Sequence, residues 1–301
     1  MHHPITNLAR AVGAGLALAG LTSPVMANNA GEQFGERELA LALDDRCHLF
    51  SPAQRAALDA ARLQARGILL RGGVTHTALD DYSRELEAQA DATQCSRPEV
   101  DDLRLRVVEA FIAWQRVRDM EFPGGAFGWT ATRSFIAGTP GWAVLQDTGE
   151  LRVGITRDGD NHRFTVAMPR VENAVSAVLV MRDPGRAPEL YDPTMGGHFP
   201  APAGAGWADF TPPNFARSMI WASGQGDRAD TAALSDGGDG LVFHFSGRAA
   251  DALAVLDPRE TARVELLGRN GEPLAVHYFE IGDFAAARAF LRAGNLAETR
   301  S

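Results

Sequence analysis

The stretch at residues 238–294 constrains the fold most, because turn signals divide it at short intervals. Two runs of apolar residues, at 262–267 and 274–281, stand on either side of Asn270-Gly271, a dipeptide typical of tight β-hairpins. Residues 249–256 and the segment that starts at Asp283 have the apolar spacing of short helices. This stretch therefore predicts antiparallel strands with two short helices, and it contains no recognisable catalytic motif.

The same pattern reaches back to residue 124, where glycine and proline become frequent and apolar residues begin to alternate. Asp158-Gly159 is a second strong hairpin signal. About eight short strands with antiparallel turns are typical of a β-sandwich. The predicted strands are residues 142–146, 150–156, 162–168, 174–181, 215–222, 241–245, 262–267 and 274–281.

The residues before 124 have a different, helical pattern. After a short helix at 32–46, Ser51-Pro52-Ala53-Gln54 has the form of a capping box with proline at the first helical position. Gly72-Gly73 ends that helix. Thr77 is the predicted cap of the next helix, and a third helix is predicted at 100–120.

The only two cysteines fit this helical layout. Cys47 lies just before the Ser51 helix and Cys95 just after the returning one, so an antiparallel hairpin brings them to the same end. A disulfide between them closes a loop of about 50 residues and stabilises the domain by roughly 4 kcal/mol in the chain-entropy model. A reactive thiol or a redox pair is the alternative, but no C-x-x-C spacing supports it.

The first 27 residues have the form of an export signal. Arg10 precedes an apolar run at 11–21, and small residues at Val25 and Ala27 predict cleavage between Ala27 and Asn28. The apolar run is too short to span a bilayer, and the mature chain contains no transmembrane segment by the same criterion. We therefore expect a periplasmic or secreted protein; an N-terminal membrane anchor is the alternative.

Together these patterns predict an α+β protein: an N-terminal disulfide-stapled helical domain followed by an antiparallel β-sandwich of about eight strands with two short helices. The predicted divisions are a signal peptide at 1–27, a helical domain at 28–121, a linker at 122–128, a β domain at 129–294 and a flexible tail at 295–301.

Charge argues against nucleic acid as a partner. The formal net charge is −9, lysine is absent, and the arginines are scattered among acids. A nucleic-acid footprint needs clustered basic residues. The arginine-only composition is typical of a GC-rich genome, although arginine also suits phosphate or carboxylate recognition.

The least regular stretch, residues 183–214, is the predicted place for a ligand site. It has seven prolines and no periodicity, and a loop of about 30 residues in a compact domain is usually functional or disordered. Alternatively, its aromatic residues only fasten the loop to the sheet. The candidate ligand-binding residues are Tyr191, Asp192, His198, Trp207 and Asp209.

No catalytic or metal motif is present. The histidines after the signal form no H-x-H or H-E-x-x-H pair, so we expect no metal site, and His244 and His277 fit ordinary strand positions. The chain has no G-x-S-x-G elbow and, without lysine, no phosphate-binding P-loop. We expect no cofactor.

The sheet followed by the short helical sequence GDFAAARAFL resembles the invasion-associated locus B group of periplasmic proteins over a short C-terminal segment. Those proteins place cysteines in their β domain, whereas this chain has none there. The resemblance therefore implies no residue role or function for this chain.

These observations favour a non-enzymatic envelope protein that binds a partner protein or a small ligand. The alternative is an exported hydrolase with its site under the loop at 183–214. A third hypothesis places an interaction surface on the helix at 100–120 and predicts an exposed apolar patch there.

Overall fold

A computed structural model describes residues 25–134, 140–159, 161–187, 212–235 and 238–298 of the chain. It contains N-terminal helices followed by an antiparallel sheet with further helices. The described helices are α1 (Val25–Cys47), α2 (Pro52–Arg71), α3 (His76–Ala92), α4 (Pro98–Trp114), α5 (Arg228–Leu234), α6 (Gly247–Leu253) and α7 (Phe284–Glu298). The strands are β1 (Asp119–Phe122), β2 (Trp129–Thr132), β3 (Gly141–Asp147), β4 (Arg152–Asp158), β5 (Asn161–Pro169), β6 (Ser176–Arg182), β7 (Arg217–Gln225), β8 (Gly240–Phe245), β9 (Thr261–Leu267) and β10 (Pro273–Glu280).

The first three helices pack around a small apolar cluster that includes Phe34, Leu70 and Leu79. The predicted capping box starts α2: Ser51 accepts a hydrogen bond from the Gln54 amide, and the Gln54 side chain accepts one from the Ser51 amide.

The predicted disulfide joins Cys47 at the end of α1 to Cys95 after α3, with their Cα atoms 5.6 Å apart. The predicted cap of α3 was wrong, because Thr75 and not Thr77 accepts the hydrogen bond at its start. Helix α1 extends from Val25, so the expected cleavage position after Ala27 falls within its first residues.

The fourth helix is shorter than predicted. It ends at Trp114 instead of residue 120, and the chain then forms β1, which pairs with β2 and buries Phe122. Met120 and Phe122 have the two-residue spacing of a strand. This spacing directly follows the apolar pattern of the helix, so the sequence alone does not separate the short strand from the helix end. Residue 122, the start of the predicted linker, thus ends a strand.

All ten described strands belong to one antiparallel sheet with the order β1-β2-β3-β4-β5-β8-β7-β6-β9-β10. The eight strands expected from the sequence correspond to β3–β10, and both predicted hairpin turns lie between paired strands. The count of about eight and the two-sheet sandwich are not confirmed, since β1 and β2 extend the same sheet. The two short helices expected in this part are α6 and α7, and α5 is an additional one.

The sheet curls until the inner side of β3 meets the edge of β10. Gln146 of β3 accepts a hydrogen bond from the Glu280 amide (2.8 Å) and donates one to the Glu280 carbonyl (3.1 Å). A bulge between Trp142 and Val144 bends β3. Opposite it, Gly154 lies so close that a Cβ there would be 1.9 Å from the Val144 oxygen, so only glycine permits this bend.

The concave inner face holds the main core, which α6 and α7 help to fill. Phe284 of α7 packs against Trp129, whose indole nitrogen donates to the Ile281 carbonyl at 2.7 Å. The inner face is therefore buried, and a surface site on this sheet must lie on the convex outer face or at an edge.

Helix α2 packs on α7 and joins the N-terminal helices to the sheet. Gly67 of α2 is required there, because a Cβ would be 1.8 Å from the Asp283 carboxylate. Arg71 binds that carboxylate through both of its terminal nitrogens. Burial raises the pKa of Asp283, an effect that Arg71 opposes.

Candidate binding surface on the outer face

Two cross-strand rows of side chains cover the outer face of β7, β6, β9 and β10. Directly paired residues of antiparallel strands point to the same face, and the inner face of these strands is fixed by core residues such as Leu179 and Val264. We call the eight outward residues the outer patch. The rows are Trp221–Val178–Glu265–Val276 and Met219–Val180–Arg263–Tyr278.

The outer patch is apolar at its centre and exposed at its apolar ends. Val178 and Val180 are buried and form a cluster with Leu267, separate from the main core. Trp221 is 56% exposed and Met219 54% exposed, although both lie in the middle of a paired strand. When large apolar side chains are exposed to solvent in a group on a paired strand, they indicate a contact surface.

The charged residues of the outer patch neutralise each other. Arg263 donates to the Glu265 carboxylate at 2.8 Å along the same strand, and both side chains are mostly buried. Arg217, two residues before Met219 on β7 and paired with Arg182, has its pKa lowered by burial and by repulsion from Arg263. The patch therefore presents apolar and aromatic atoms, with no unpaired carboxylate among its eight residues.

A buried ion pair fastens one end of this region. Arg182 of β6 binds Glu260 through two hydrogen bonds of 2.7 and 2.8 Å, and both side chains are almost fully buried. Arg182 also donates to the Ala187 carbonyl at 2.5 Å, and Arg217 donates to the Pro212 carbonyl at 2.5 Å. Both described ends of the stretch at 183–214 are thus tied to outer-face arginines.

Beside this pair, Asp257 links the sheet to the helices. It accepts hydrogen bonds from the backbone and side chain of Arg259, and its Oδ2 lies 2.6 Å from His76 Nε2. Arg66 donates to His76 Nδ1, so Nε2 is the nitrogen that donates to Asp257. Although burial pushes the pKa of Asp257 up, hydrogen bonds from Arg259 and His76 outweigh it and hold the pKa well below its usual range.

The outer face of β3, β5 and β8 is covered instead. Helix α5 lays Leu234 over Ala167 and Val242, with Trp142 beside them. A chain of polar groups lies under the same helix: His244 Nε2 is 3.0 Å from Asp230, and His244 Nδ1 is 3.0 Å from the Thr165 hydroxyl.

That hydroxyl, imidazole and carboxylate stand in the order of a hydrolase triad. Thr165 is fully buried, however, and its oxygen also lies 2.6 Å from the Thr156 hydroxyl. A hydroxyl without solvent access does not reach a substrate. The arrangement therefore satisfies buried polar groups beneath α5.

The predicted ligand-binding residues Tyr191, Asp192, His198, Trp207 and Asp209 lie outside the described residues. Sequence reasoning missed Trp221 and Met219 as surface residues, although it placed a strand at 215–222. The missed signal was the sequence SMIWA, which has apolar residues on both faces of the strand. Only alternate residues of a strand can face the core, so the remaining apolar residues had to lie on the outer face.

The other histidines and the cavities provide no competing site in the described part of the chain. His277 points to the inner face of β10, with Nδ1 3.8 Å from Glu150 and neither ring nitrogen hydrogen-bonded. No group of three or more histidine, cysteine or acidic side chains suited to a metal ion occurs among the described residues. The cavity of about 760 Å³ between α1 and α2 is open and lined largely by charged residues, and the cavity of about 640 Å³ beside α5 is open and lined mostly by polar and charged residues.

A smaller apolar surface lies on α4. Val100 and Phe111 are its buried residues, whereas Leu105 and Ile112, seven residues apart on one side of the helix, are about half exposed. This is the feature that an interaction surface on the predicted third helix requires. It lacks aromatic side chains and is therefore the weaker of the two surfaces.

Comparison of the chain with protein-family models, with curated proteins and with solved structures finds no match. The sequence resemblance to the invasion-associated locus B group thus gains no support from a family model. None of the described helices is long and apolar enough to cross a membrane.

Proposed function

We propose that this chain is an exported protein that binds a partner protein through the outer patch. The observation that carries the proposal is the grouping of Trp221 and Met219, both more than half exposed, around a buried valine centre. Tryptophan, tyrosine, methionine and arginine are enriched in protein–protein interfaces, and the patch contains one of each.

The charge of the patch favours a protein over other large partners. A nucleic acid or an anionic membrane surface requires unpaired basic groups, whereas Arg263 is paired with Glu265 and the whole chain carries a formal net charge of −9. An apolar protein surface with a few hydrogen-bonding groups at its rim complements the patch best.

The shape of the patch favours a protein over a small ligand. Small-molecule sites are concave and mostly apolar, but the outer patch lies on the convex face of a curled sheet. The cavity between α1 and α2 is lined largely by charged residues, several of which pair with each other, such as Arg62 with Glu38, and the cavity beside α5 is lined mostly by polar and charged residues.

Export remains part of the proposal. It rests on the signal-like pattern at 1–27 and is consistent with the Cys47–Cys95 disulfide, since such bonds persist in oxidising compartments. Mass spectrometry of the mature protein is expected to find an N-terminus at Asn28. An intact N-terminus at Met1 would remove the export claim and leave the binding claim standing.

The binding claim is tested by affinity capture from the source organism's envelope fraction with three baits. Wild-type chain is expected to retain a protein in defined stoichiometry, and Trp221→Ser is expected to lose it. Val255→Ser is the matched control, because Val255 is 68% exposed and lies outside the patch. Equal retention by Trp221→Ser, or equal loss with Val255→Ser, contradicts the proposal.

A further inference from the structure

The side chain of His277 contains two buried polar atoms that have no hydrogen-bond partner. It lies on the inner face of β10, in register with the core residue Val264 of β9. Both ring nitrogens are buried, and neither makes a hydrogen bond to a described residue. A buried donor or acceptor without a partner destabilises the folded state, and native proteins satisfy the great majority of such groups. The exception at His277 therefore calls for a physical reason.

His277 lies where the curled sheet closes on itself. Residues 146 and 150 of the β3–β4 hairpin meet residues 280 and 277 of β10 there, and we call this line of contact the seam. Gln146 holds the Glu280 amide and carbonyl, and Glu150 Oε2 lies 3.8 Å from His277 Nδ1. Among the described residues, the hydrogen bonds across the seam are the two made by Gln146. The polar contacts that close the seam are therefore few, and one more contact would strengthen the closure.

Glu150 is the charged group that faces His277. The Glu150 side chain is 84% exposed, against 16% for His277, and it has no other hydrogen bond or ion pair within the described part of the chain. It is therefore free to turn towards the imidazole. The other charged groups on β9, on β10 and at the base of the hairpin are engaged elsewhere, in the pairs Asp147–Arg152 and Arg263–Glu265 and in the contact of Glu280 with the Gly125 and Ala126 amides.

We propose that His277 and Glu150 form a proton-operated latch on the seam, in which uptake of a proton from solvent by the imidazole draws the Glu150 carboxylate onto Nδ1. At 3.8 Å the two groups are too far apart for a hydrogen bond. The imidazolium carries a charge and donates from both nitrogens, so a rotation of the exposed Glu150 side chain closes the distance and satisfies Nδ1. Imidazoles as a class gain this charge between about pH 8 and 5, a range in which carboxylates as a class stay ionised.

The latch acts on one side of the outer patch. Val276 and Tyr278 flank His277 on β10 and belong to the two rows of the patch. Fixing β10 against the hairpin therefore fixes this edge of the patch as the pH falls. The latch does not depend on the partner-binding proposal, because the seam closes within a single chain.

The latch is tested by hydrogen exchange of the purified full chain, followed by NMR between about pH 8 and 5. The Glu280 amide is the reporter, since it donates to Gln146 across the seam at 2.8 Å. Its protection factor, which removes the pH dependence of the intrinsic exchange rate, is expected to rise about threefold towards the acidic end. The Leu179 amide, in the central strand β6, reports on the whole sheet and is expected to keep its protection.

A matched pair of variants separates the latch from a general effect of pH. Glu150→Gln keeps the size of the side chain and removes its charge, so the protection of the Glu280 amide is expected to become independent of pH over this range. Glu85→Gln, the same change at an exposed position of α3, is expected to keep the wild-type rise. The proposal is overturned by a flat pH profile of the Glu280 amide in the wild-type chain, by a rise that survives Glu150→Gln, or by ring ¹⁵N shifts showing that His277 stays neutral at the acidic end.

Discussion

Helix α5 covers the outer face over β3, β5 and β8, whereas over β7, β6, β9 and β10 the described residues leave Trp221 and Met219 in solvent. The covered half is held by apolar burial under Leu234. In the exposed half, ion pairs in and beside the sheet accompany a small apolar cluster of Val178, Val180 and Leu267, and Arg182–Glu260 is the most deeply buried of these pairs. Both halves therefore combine apolar burial with polar contacts, and they differ in that only the exposed half leaves large apolar side chains in solvent.

The largest expected effect is on the ion pair of the exposed half. Glu260→Gln leaves the Arg182 guanidinium buried without a counter-charge, and breaking a buried pair costs about 3–5 kcal/mol. Chemical denaturation should show this loss in the free energy of unfolding. Arg263→Gln is the comparison, because the side chains of its pair with Glu265 are 15% and 18% exposed against 5% and 3% for Arg182 and Glu260, so its loss should cost less. Equal losses of unfolding free energy in the two variants would mean that the burial of an ion pair does not determine how much it stabilises the exposed half.

Truncating the buried side chain of Leu234 is expected to destabilise the covered half. Leu234 is fully buried against Ala167 and Val242, so Leu234→Ala is expected to cost about 3 kcal/mol. The loss should appear as faster hydrogen exchange in α5 and β8, while β9 and β10 keep their protection. Uniform loosening of the whole sheet would show that the two halves are not independent.

Acid should distinguish the halves. The folded pKa of Asp257 is below its unfolded value, so its stabilising contribution is present above the unfolded pKa and is lost as the pH falls towards the folded one. We expect acidification to loosen the start of β9 before α5. Asp257→Asn should cost about 2 kcal/mol at neutral pH and should flatten the acid dependence of stability. If the acid dependence of stability is unchanged in this variant, carboxylates other than Asp257 cause it.

The smallest expected effect on stability is at the outer patch. Trp221→Ser is expected to change the free energy of unfolding by no more than about 0.5 kcal/mol, because exposed positions contribute little. A loss of several kcal/mol, measured in the same denaturation experiment, would show that Trp221 holds the fold and is not kept for contact.

Sequence reasoning located elements that carry local signals. The strands β3–β10, both hairpins, the α2 capping box and the Cys47–Cys95 disulfide all follow from turn chemistry, periodicity or spacing. Helix α5 was missed because seven residues are too few for a helix to be stable alone, and it depends on packing against the sheet.

The candidate surface could be predicted only in part. The strand that carries Trp221 was recognisable, but its sequence is apolar on both faces and does not say which one faces solvent. Arg182 and Glu260 are 78 residues apart, and only the order of strands in the folded sheet brings them together. Such non-local pairs have no characteristic spacing in the sequence, so a sequence pattern cannot predict them.

The central claim, that the outer patch binds a partner protein, is tested most directly by hydroxyl-radical footprinting of the chain alone and in the native envelope fraction. Tryptophan and methionine side chains in solvent are oxidised readily, so Trp221 and Met219 should react in the purified chain. In the native fraction we expect both to be protected while Tyr82, exposed on α3, reacts as before. Unchanged oxidation of Trp221 and Met219, or protection of Tyr82 alone, would contradict the claim.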